Sequence, residues 1–248
     1  MKRIYLDRND CNVSQGKIHI RGGTFHYLKK VLRMKTNDVF TGFDGTGAEY
    51  TVNILNAEGS SIEGTLIETK KKPSVETPFN LQIFQSIPKS GKMDFIIREV
   101  AQLGVKKVVP VISARVIGSL TSGKSSRKTE RWRKIAAESS KVAGRELVTE
   151  VSEAMRFEDT VKTKSDLFIF FWERASTPLR KIICGLPALK TDALIKIFIG
   201  PEGGYTEEEV TLAEKCGAVT ASIGRRILKV ETASVIATAL TIYELENR

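Results

Sequence analysis

The chain has 248 residues, 41% of them hydrophobic, which is enough to bury one large core or, more in keeping with this length, two. Its 39 Lys and Arg residues outnumber its 29 Asp and Glu residues, and the net charge of +10 favours a polyanionic partner such as RNA or DNA over a small acidic metabolite. No apolar run reaches the length of a transmembrane helix and the N-terminus lacks the core of a signal peptide, so we expect a cytoplasmic protein that does not enter a membrane.

The cysteines and histidines argue against a metal site and against disulfides. Cys11, Cys184 and Cys216 are odd in number and widely spaced, with no Cys-x-x-Cys, and His19 and His26 are the two histidines of the sequence. A structural zinc site needs more ligands at closer spacing. We therefore expect free thiols in a reducing compartment and no bound metal.

Residues 1–69 have the pattern of a small β-rich domain. Strands are predicted at 17–20, 38–43, 48–55 and 61–68. The sequence Asp44-Gly45-Thr46-Gly47 predicts a hairpin between the second and the third of them. Several short strands at this spacing indicate a small barrel.

One helix is predicted in this domain, over residues 25–33, with Thr24 as its cap. Its inner stripe is predicted to be Leu28, Val31 and Leu32. Its basic residues are Lys29, Lys30 and Arg33, with Lys35 just beyond. From the residues alone, this basic face is either simply solvated or a patch that contacts RNA phosphates.

A linker is predicted at residues 70–79, where Pro73 and Pro78 lie in a charged and polar run. From residue 80 to 248 strands alternate with helices, which is the pattern of an α/β domain. The predicted strands are 81–87, 107–112, 147–151, 166–172, 194–199 and 219–223. Helices are predicted between Ser90 and Gly104 and over 130–142, with a Gly/Ser/Lys loop at 118–128.

The segment 194–209 combines a buried strand, a tight glycine loop and an acidic helix. The apolar run is followed by Gly200-Pro201-Glu202-Gly203, which fits a type I turn, and by the further glycine Gly204. Thr206 and Glu209 form a capping-box pattern at the start of a helix whose first turn holds three carboxylates. The loop lacks the motifs of phosphate and dinucleotide sites, and the carboxylates would repel a pyrophosphate. A cationic or zwitterionic ligand held by backbone groups fits better.

A second stretch, 219–234, contains another short strand that ends at Gly224. The residues after it continue without a turn signal, and either Thr232 or Ser234 is a candidate cap for a last helix. The predicted core-facing stripe of this helix is Val235, Ile236, Ala239, Leu240 and Tyr243.

The two stretches Ile-Gly-Pro-Glu-Gly-Gly at 199–204 and Ile-Gly-Arg-Arg-Ile-Leu-Lys-Val-Glu-Thr-Ala at 223–233 together resemble the C-terminal signature of the SPOUT methyltransferases, and specifically of the RsmE family. Segments 89–94, 102–105, 131–136 and 144–145 also resemble that family, so the resemblance spans nearly the whole chain. The sequence departs from the family's usual residues at Gln102, Ala114, Val142 and Thr149. These departures bear on RNA or dimer contacts and leave the glycine loop intact.

The resemblance implies an α/β fold with a deep trefoil knot over residues 80–248, a recognised exception to unknotted topology, and a PUA-like RNA-binding β-barrel over 1–69. It implies S-adenosylmethionine as cofactor and methylation of a uridine N3 in the 16S ribosomal RNA of the small subunit. It also implies a homodimer joined through the final helix and the knot.

Site residues follow from the same resemblance. Arg226 is expected to steady the uridinate or its phosphate, and Glu202 to act as a structural cap or as a proton acceptor. Cofactor contacts are expected from Phe171, Glu173, Ile199, Gly200, Pro201, Gly203, Ile223, Gly224, Ile227, Leu228 and Thr232. RNA contacts are expected from Lys29, Lys30, Arg33 and Arg145.

Two other functions are compatible with the same motifs. One is a SPOUT methyltransferase that acts on a ribose 2′-OH of tRNA or ribosomal RNA, against which the PUA-like front end argues. The other is a non-catalytic RNA-binding protein with a vestigial cofactor fold, which the intact glycines and Arg226 disfavour.

Overall fold

The computed structural model describes residues 2–7, 9–44, 48–71, 75–116 and 122–248. It divides into two compact units, the first made of residues 1–76 with 144–147 and the second of 77–143 with 148–248. The middle of the predicted hairpin turn, part of the predicted linker and the start of the predicted loop at 118–128 lie outside the described residues.

The first unit is built on a mixed sheet. Its described strands are β1 (Arg3–Tyr5), β2 (Cys11–Ser14), β3 (Lys17–Ile20), β4 (Val39–Phe43), β5 (Ala48–Asn56) and β6 (Ile62–Lys71). They lie in the order β1-β4-β5-β6-β3-β2, with β1 parallel to β4 and the other neighbours antiparallel. The four strands predicted from periodicity are confirmed. The strand β1 has only three residues, and β2 has no alternation of buried and exposed residues, so neither gives a periodic signal.

One helical segment packs on this sheet, and it differs from the prediction. Helix α1 (Gly22–His26) continues into a π-helical turn (Tyr27–Val31), in which the Leu32 amide donates to the Tyr27 carbonyl. Because a π turn changes the angular spacing of side chains, Leu28 is buried while Val31 is 65% exposed. Thr24 is not the cap: its amide and hydroxyl both donate to the Asp10 carboxylate.

The second unit is built on a parallel sheet. Its described strands are β7 (Asn80–Ser86), β8 (Lys107–Ile112), β9 (Glu150–Val151), β10 (Met155–Arg156), β11 (Leu167–Phe171), β12 (Leu194–Ile199) and β13 (Val219–Ala221). They lie in the order β10-β8-β7-β12-β11-β13, with β9 also beside β8, and every described pair is parallel.

Helices cover both faces of this sheet. They are α2 (Lys92–Gln102), α3 (Ser122–Val142), α4 (Phe157–Val161), α5 (Leu179–Cys184), α6 (Glu207–Lys215) and α7 (Val230–Glu246). Side chains alternate along the strands between two cores: in β12, Ile197 packs with residues of α2, α3, α5 and α7, and Phe198 packs with residues of α4 and α6. The predicted α/β architecture is therefore confirmed. No helix in the described ranges is both long and apolar enough to cross a membrane.

Two predictions about helices in this unit are wrong. Residues 122–128, predicted as loop, form the first turns of α3. Helix α7 begins at Val230 without a side-chain cap, so neither Thr232 nor Ser234 caps it. Its buried face is Val230, Ser234, Ala237, Thr238, Thr241, Ile242 and Leu245.

The predicted inner stripe of α7 instead faces outward, with Ile236 and Tyr243 39% and 61% exposed. Because α7 is apolar or small on nearly every side, periodicity could not decide which face is buried. The outward stripe remains an apolar surface that needs its own explanation.

Candidate active site

Three chain segments leave the parallel sheet side by side at one edge. Phe171, at the end of β11, is level with Ile199 at the end of β12 and with Ala221 at the end of β13. The glycine loop (199–204) and the stretch 223–228 form two bends of the chain. Both bends and the segment after Phe171 therefore start next to one another, at the carboxyl edge where open α/β sheets bind ligands. They enclose a cavity of about 470 Å³.

The glycine loop runs close to its neighbours. The turn hydrogen bond joins the Gly204 amide to the Pro201 carbonyl at 2.9 Å, so the turn spans 201–204, one residue later than predicted. Gly204 has a φ of +68°, and a Cβ there would lie 2.9 Å from a Glu173 carboxylate oxygen. A side chain at this position would therefore be strained, and the Glu173 carboxylate would have to move away from it.

The helix after the loop begins as the sequence predicts. The Thr206 hydroxyl accepts from the Glu209 amide and the Glu209 carboxylate accepts from the Thr206 amide, which completes a capping box. Glu209 also accepts from the Ala114 amide at 2.8 Å. This second bond ties the start of α6 to the segment that follows β8.

Arg115, on that same segment, holds the glycine loop from outside. Its guanidinium donates to the Gly203 carbonyl at 2.5 Å and to the Tyr205 carbonyl at 3.4 Å. A Cβ on Gly203 would lie 3.3 Å from the Arg115 side chain, so the loop and the arginine are in close contact. The family resemblance drew attention to Ala114 and gave no role to its neighbour.

Lys92, in the first turn of α2, joins the glycine loop to the start of α7, which follows the second bend. Its ammonium lies 3.0 Å from Glu202 in the glycine loop and 3.3 Å from Glu231 in the first turn of α7. Glu202 also accepts from the Lys89 amide. Partial burial opposes ionisation of Glu202, but the hydrogen bonds from Lys92 and from backbone amides outweigh it and lower the pKa of this carboxyl.

Gln85 joins the same two bends from inside the core. It is fully buried, and its amide nitrogen donates to the Ser86 carbonyl at 2.9 Å and to the Ile199 carbonyl at 3.4 Å. Its amide oxygen accepts from the Ser234 hydroxyl of α7 at 2.6 Å. Ile199, at the start of the glycine loop, and Ser234, on the helix after the second bend, are therefore hydrogen-bonded to the same side chain.

The second bend is held mainly by its own first residues. The Ser222 hydroxyl bonds to the amide and the carbonyl of Gly224, whose φ is +135°. The Ser222 backbone is bonded to the Thr177 carbonyl and the Leu179 amide. Beyond this point Arg225, Arg226 and Ile227 are exposed, Ile227 to 87%.

Most of the predicted cofactor and catalytic residues lie together around the cavity. Those that line it are Phe171, Glu173, Ile199, Gly200, Pro201, Glu202, Gly203, Ile223, Gly224, Arg226, Ile227 and Leu228. Thr232 lies beside it, in a smaller cavity that also contacts Arg226 and Leu228. Lys92, Gln85, Arg115 and Ser234 were missed, because each acts through a partner far away in the sequence.

The predicted RNA-binding residues of the first unit do not behave alike. Lys30 and Arg33 are exposed, whereas the Lys29 ammonium donates to the Ala57 carbonyl at 2.6 Å. Arg145 is 2% exposed and its guanidinium forms an ion pair with the Glu76 carboxylate at 2.7 Å. An RNA contact by Arg145 therefore has no support, because its donors are buried and face a carboxylate.

Comparisons with known proteins agree with this architecture. A family model described as an RNA methyltransferase domain matches residues 75–242, and one described as an RNA methyltransferase PUA domain matches residues 20–67. Ribosomal RNA small subunit methyltransferase E of Bacillus subtilis (strain 168) is 28% identical, over 99% of this chain and 98% of its own length. The protein of the same name from Buchnera aphidicola (subspecies Acyrthosiphon pisum) is 30% identical, over 95% of this chain and 90% of its own length.

A solved structure shares the fold over almost the full length. It is a ribosomal RNA small subunit methyltransferase E from Neisseria gonorrhoeae bound to S-adenosyl methionine, with a TM-score of 0.82, 27% identity, and 97% of this chain and 96% of that chain covered. With a family model that matches more than half of the residues and a relative at 30% identity, the prediction of the family is confirmed. The chain belongs to the ribosomal RNA small subunit methyltransferase E family of RNA methyltransferases.

Proposed function

We propose that this protein transfers the methyl group of S-adenosylmethionine to N3 of a uridine in the 16S ribosomal RNA of the small subunit. The observation that carries the proposal is the single cavity walled by both bends, 199–204 and 223–228. The relatives' names agree on ribosomal RNA of the small subunit, and the Neisseria gonorrhoeae relative was solved with this cofactor.

The residues around the cavity suit S-adenosylmethionine. Gly200, Gly203, Gly204 and Gly224 line the cavity and have no side chains, so backbone groups of the two bends are available for adenine and ribose. Phe171 and Ile199 supply apolar surface, and Thr232 and Ile227 border the opening. The bound cofactor would supply an electrophilic methyl group.

The protein's own part in the reaction is to orient the partners and to stabilise negative charge. Uridine N3 bears a proton, and once that proton leaves, negative charge spreads over the base. Arg226 is exposed at the edge of the cavity and stays protonated, so we assign it to steady the uridinate or its phosphate. Glu202 is assigned a structural role, because a carboxyl with a lowered pKa, bound to Lys92, is a poor proton acceptor.

We propose that residues 1–69 act as a PUA-like RNA-binding domain and residues 80–248 as the methyltransferase domain. Of the linker predicted at 70–79, Lys70 and Lys71 belong instead to β6, where they pair with β5. Lys30 and Arg33, at the end of the π-helical turn, are the best placed to contact phosphates because both are exposed. Lys29 could join them only after releasing the Ala57 carbonyl.

We further propose a trefoil knot in the methyltransferase domain and a homodimer. Support for the dimer comes from the outward apolar stripe of α7, formed by Ile236, Leu240 and Tyr243, which is unusual for a surface that stays in water. A protein that modifies ribosomal RNA would act in the cytoplasm.

Two experiments test the proposal. Small-subunit RNA from cells with and without this protein is compared by mass spectrometry, and we expect one N3-methyluridine to disappear in the deletion strain. A lost ribose 2′-O-methyl group would instead support the alternative chemistry. In the purified protein, Arg226→Ala should keep its affinity for S-adenosylmethionine and lose most turnover. Arg180→Ala, at an exposed position of α5, should change neither.

A further inference from the structure

The reaction needs an acceptor for the uridine N3 proton, and few side chains around the cavity can serve. The titratable residues that line it are Lys92, Glu173, Glu202, Tyr205, Arg225, Arg226 and Lys229. The lysines and arginines are cations at neutral pH and are poor bases. The choice is therefore between Glu173, Glu202 and Tyr205.

Tyr205 and Glu202 are both engaged. The Tyr205 hydroxyl is buried against Ser86 at 3.1 Å, and burial raises its pKa, so it does not form the phenolate that a base requires. Glu202 is bound by Lys92 and by the Lys89 amide. Both groups are therefore already hydrogen-bonded within the protein and are not free to accept the N3 proton.

Glu173 differs from both. Its side chain is exposed to the cavity, and within the described part of the chain no cation or N–H group is bonded to its carboxylate. Its two oxygens lie 2.9 and 3.1 Å from the point where a Cβ on Gly204 would be, so the carboxylate lies directly against the glycine loop. The absence of a side chain on Gly204 leaves room for it there.

We infer that the Glu173 carboxylate is the general base of the methyl transfer, which rests on the proposed function. The N3–H bond gives its proton to a Glu173 oxygen, and the electron pair left on N3 forms the new bond to the methyl carbon. The bond from that carbon to sulfur breaks, and its electron pair stays on sulfur. While N3 is ionised, the positive charge of Arg226 stabilises the negative charge on the uracil ring.

The assignment separates the backbone of residues 171–173 from the Glu173 side chain. The backbone remains part of the cofactor wall, whereas the carboxylate serves the acceptor. This division predicts that an isosteric change at Glu173 leaves cofactor affinity almost unchanged and acts on turnover. General-base catalysis typically contributes about 10²–10⁴-fold to a rate.

The test uses Glu173→Gln in the full-length protein with small-subunit RNA, and Glu214→Gln, on the exposed side of α6, as the matched control. Calorimetry should give S-adenosylmethionine dissociation constants within about twofold of wild type for both variants, since neither changes the backbone. The kcat of Glu173→Gln should fall by at least about 100-fold and should rise with pH in proportion to hydroxide, while the control matches wild type. Formate should partly restore turnover to Glu173→Ala, because it can take the place of the missing carboxylate.

Three results overturn parts of the reasoning separately. If Glu173→Gln keeps wild-type kcat, the base lies elsewhere, in hydroxide or in a partner subunit. If its main defect is a tenfold weaker affinity for S-adenosylmethionine at normal kcat, the carboxylate belongs to the cofactor wall. If the wild-type protein binds S-adenosylmethionine but methylates no uridine N3, the proposed function fails, and the base assignment fails with it.

Discussion

The hydrogen bond between Ser234 and Gln85 offers a direct test of how the two bends are held together. Ser234 is fully buried on α7, and its hydroxyl lies 2.6 Å from the Gln85 amide oxygen and 2.7 Å from the Val230 carbonyl. Ser234→Ala removes this donor, and alanine has a higher helix propensity than serine, so the helix itself is not weakened. The Gln85 oxygen is then left in the core without its described partner.

The size of the effect follows from that unpaired oxygen. A buried acceptor that loses its partner costs about 1–3 kcal/mol, so we expect Ser234→Ala to lower the free energy of unfolding by about that amount. For a chain of this size each kcal/mol corresponds to about 2–4 °C in Tm. Both tryptophans, Trp132 and Trp172, lie in the second unit, so their fluorescence during a urea titration reports on the unit that contains the bond.

The matched control is Thr238→Val on the same helix. The Thr238 hydroxyl is also buried, but it donates at 2.7 Å to the Ser234 carbonyl one turn earlier and reaches no other element. Its removal should therefore cost less than about 1 kcal/mol, since that carbonyl keeps its helical amide. Equal losses in the two variants would refute the claim that the contact with Gln85 matters. An unchanged affinity for S-adenosylmethionine in Ser234→Ala would refute the claim that it positions the bends.

Three further predictions concern other parts of the chain. Burial lowers the pKa of Lys196 to about 8, below its value in the unfolded chain, so above pH 8 the unfolded chain binds more protons and the free energy of unfolding should rise with pH. Measured by urea titration, the free energy of unfolding of wild type relative to Lys196→Met should increase by up to about 3 kcal/mol between pH 7 and 10.5. A difference between the two proteins that stays constant with pH would contradict this prediction. Arg145→Ala should cost about 3–5 kcal/mol of unfolding free energy by removing the cation that pairs with the buried Glu76 carboxylate, and a loss of RNA affinity in a fully stable variant would instead restore the RNA-binding assignment. Leu240→Asp should turn a dimer into a monomer in sedimentation experiments while leaving the fold intact, because Leu240 is 37% exposed on the outward stripe of α7; a wild-type monomer would remove the basis for the dimer.

Local signals in the sequence predicted the parts of the site that are built locally. The strand at 194–199 follows from an apolar run, and the capping box of Thr206 and Glu209 depends on residues three apart. The glycine turn was predicted one residue early, because Pro201 in the second place and Gly203 in the fourth match the type I preferences of the earlier register. These features need no information about the rest of the chain.

The contacts that bring the two bends together could not be predicted in this way. Lys92 meets Glu202, Gln85 meets Ser234, and Arg115 meets Gly203 across separations of 88 to 149 residues. No periodicity or spacing rule links residues so far apart. The π-helical turn at 27–31 shows the complementary failure, because there an irregularity of one residue moved Val31 out of the core.

The two bends differ in how the protein supports them, and this difference separates fixed from adaptable parts of the site. The glycine loop is held by Arg115 from one side and by Lys92 from the other, and so it is positioned before any ligand arrives. The second bend has its described hydrogen bonds at Ser222 and Gly224, while Ile227 is almost completely exposed at the edge of the cavity. The same bend borders the outward stripe of α7, because Arg226 and Leu228 line a small cavity together with Ile236. An isoleucine as exposed as Ile227 gains most from being covered, either by the cofactor or by a second copy of the chain. Cofactor binding and dimer formation are then expected to order the same segment, so each should strengthen the other.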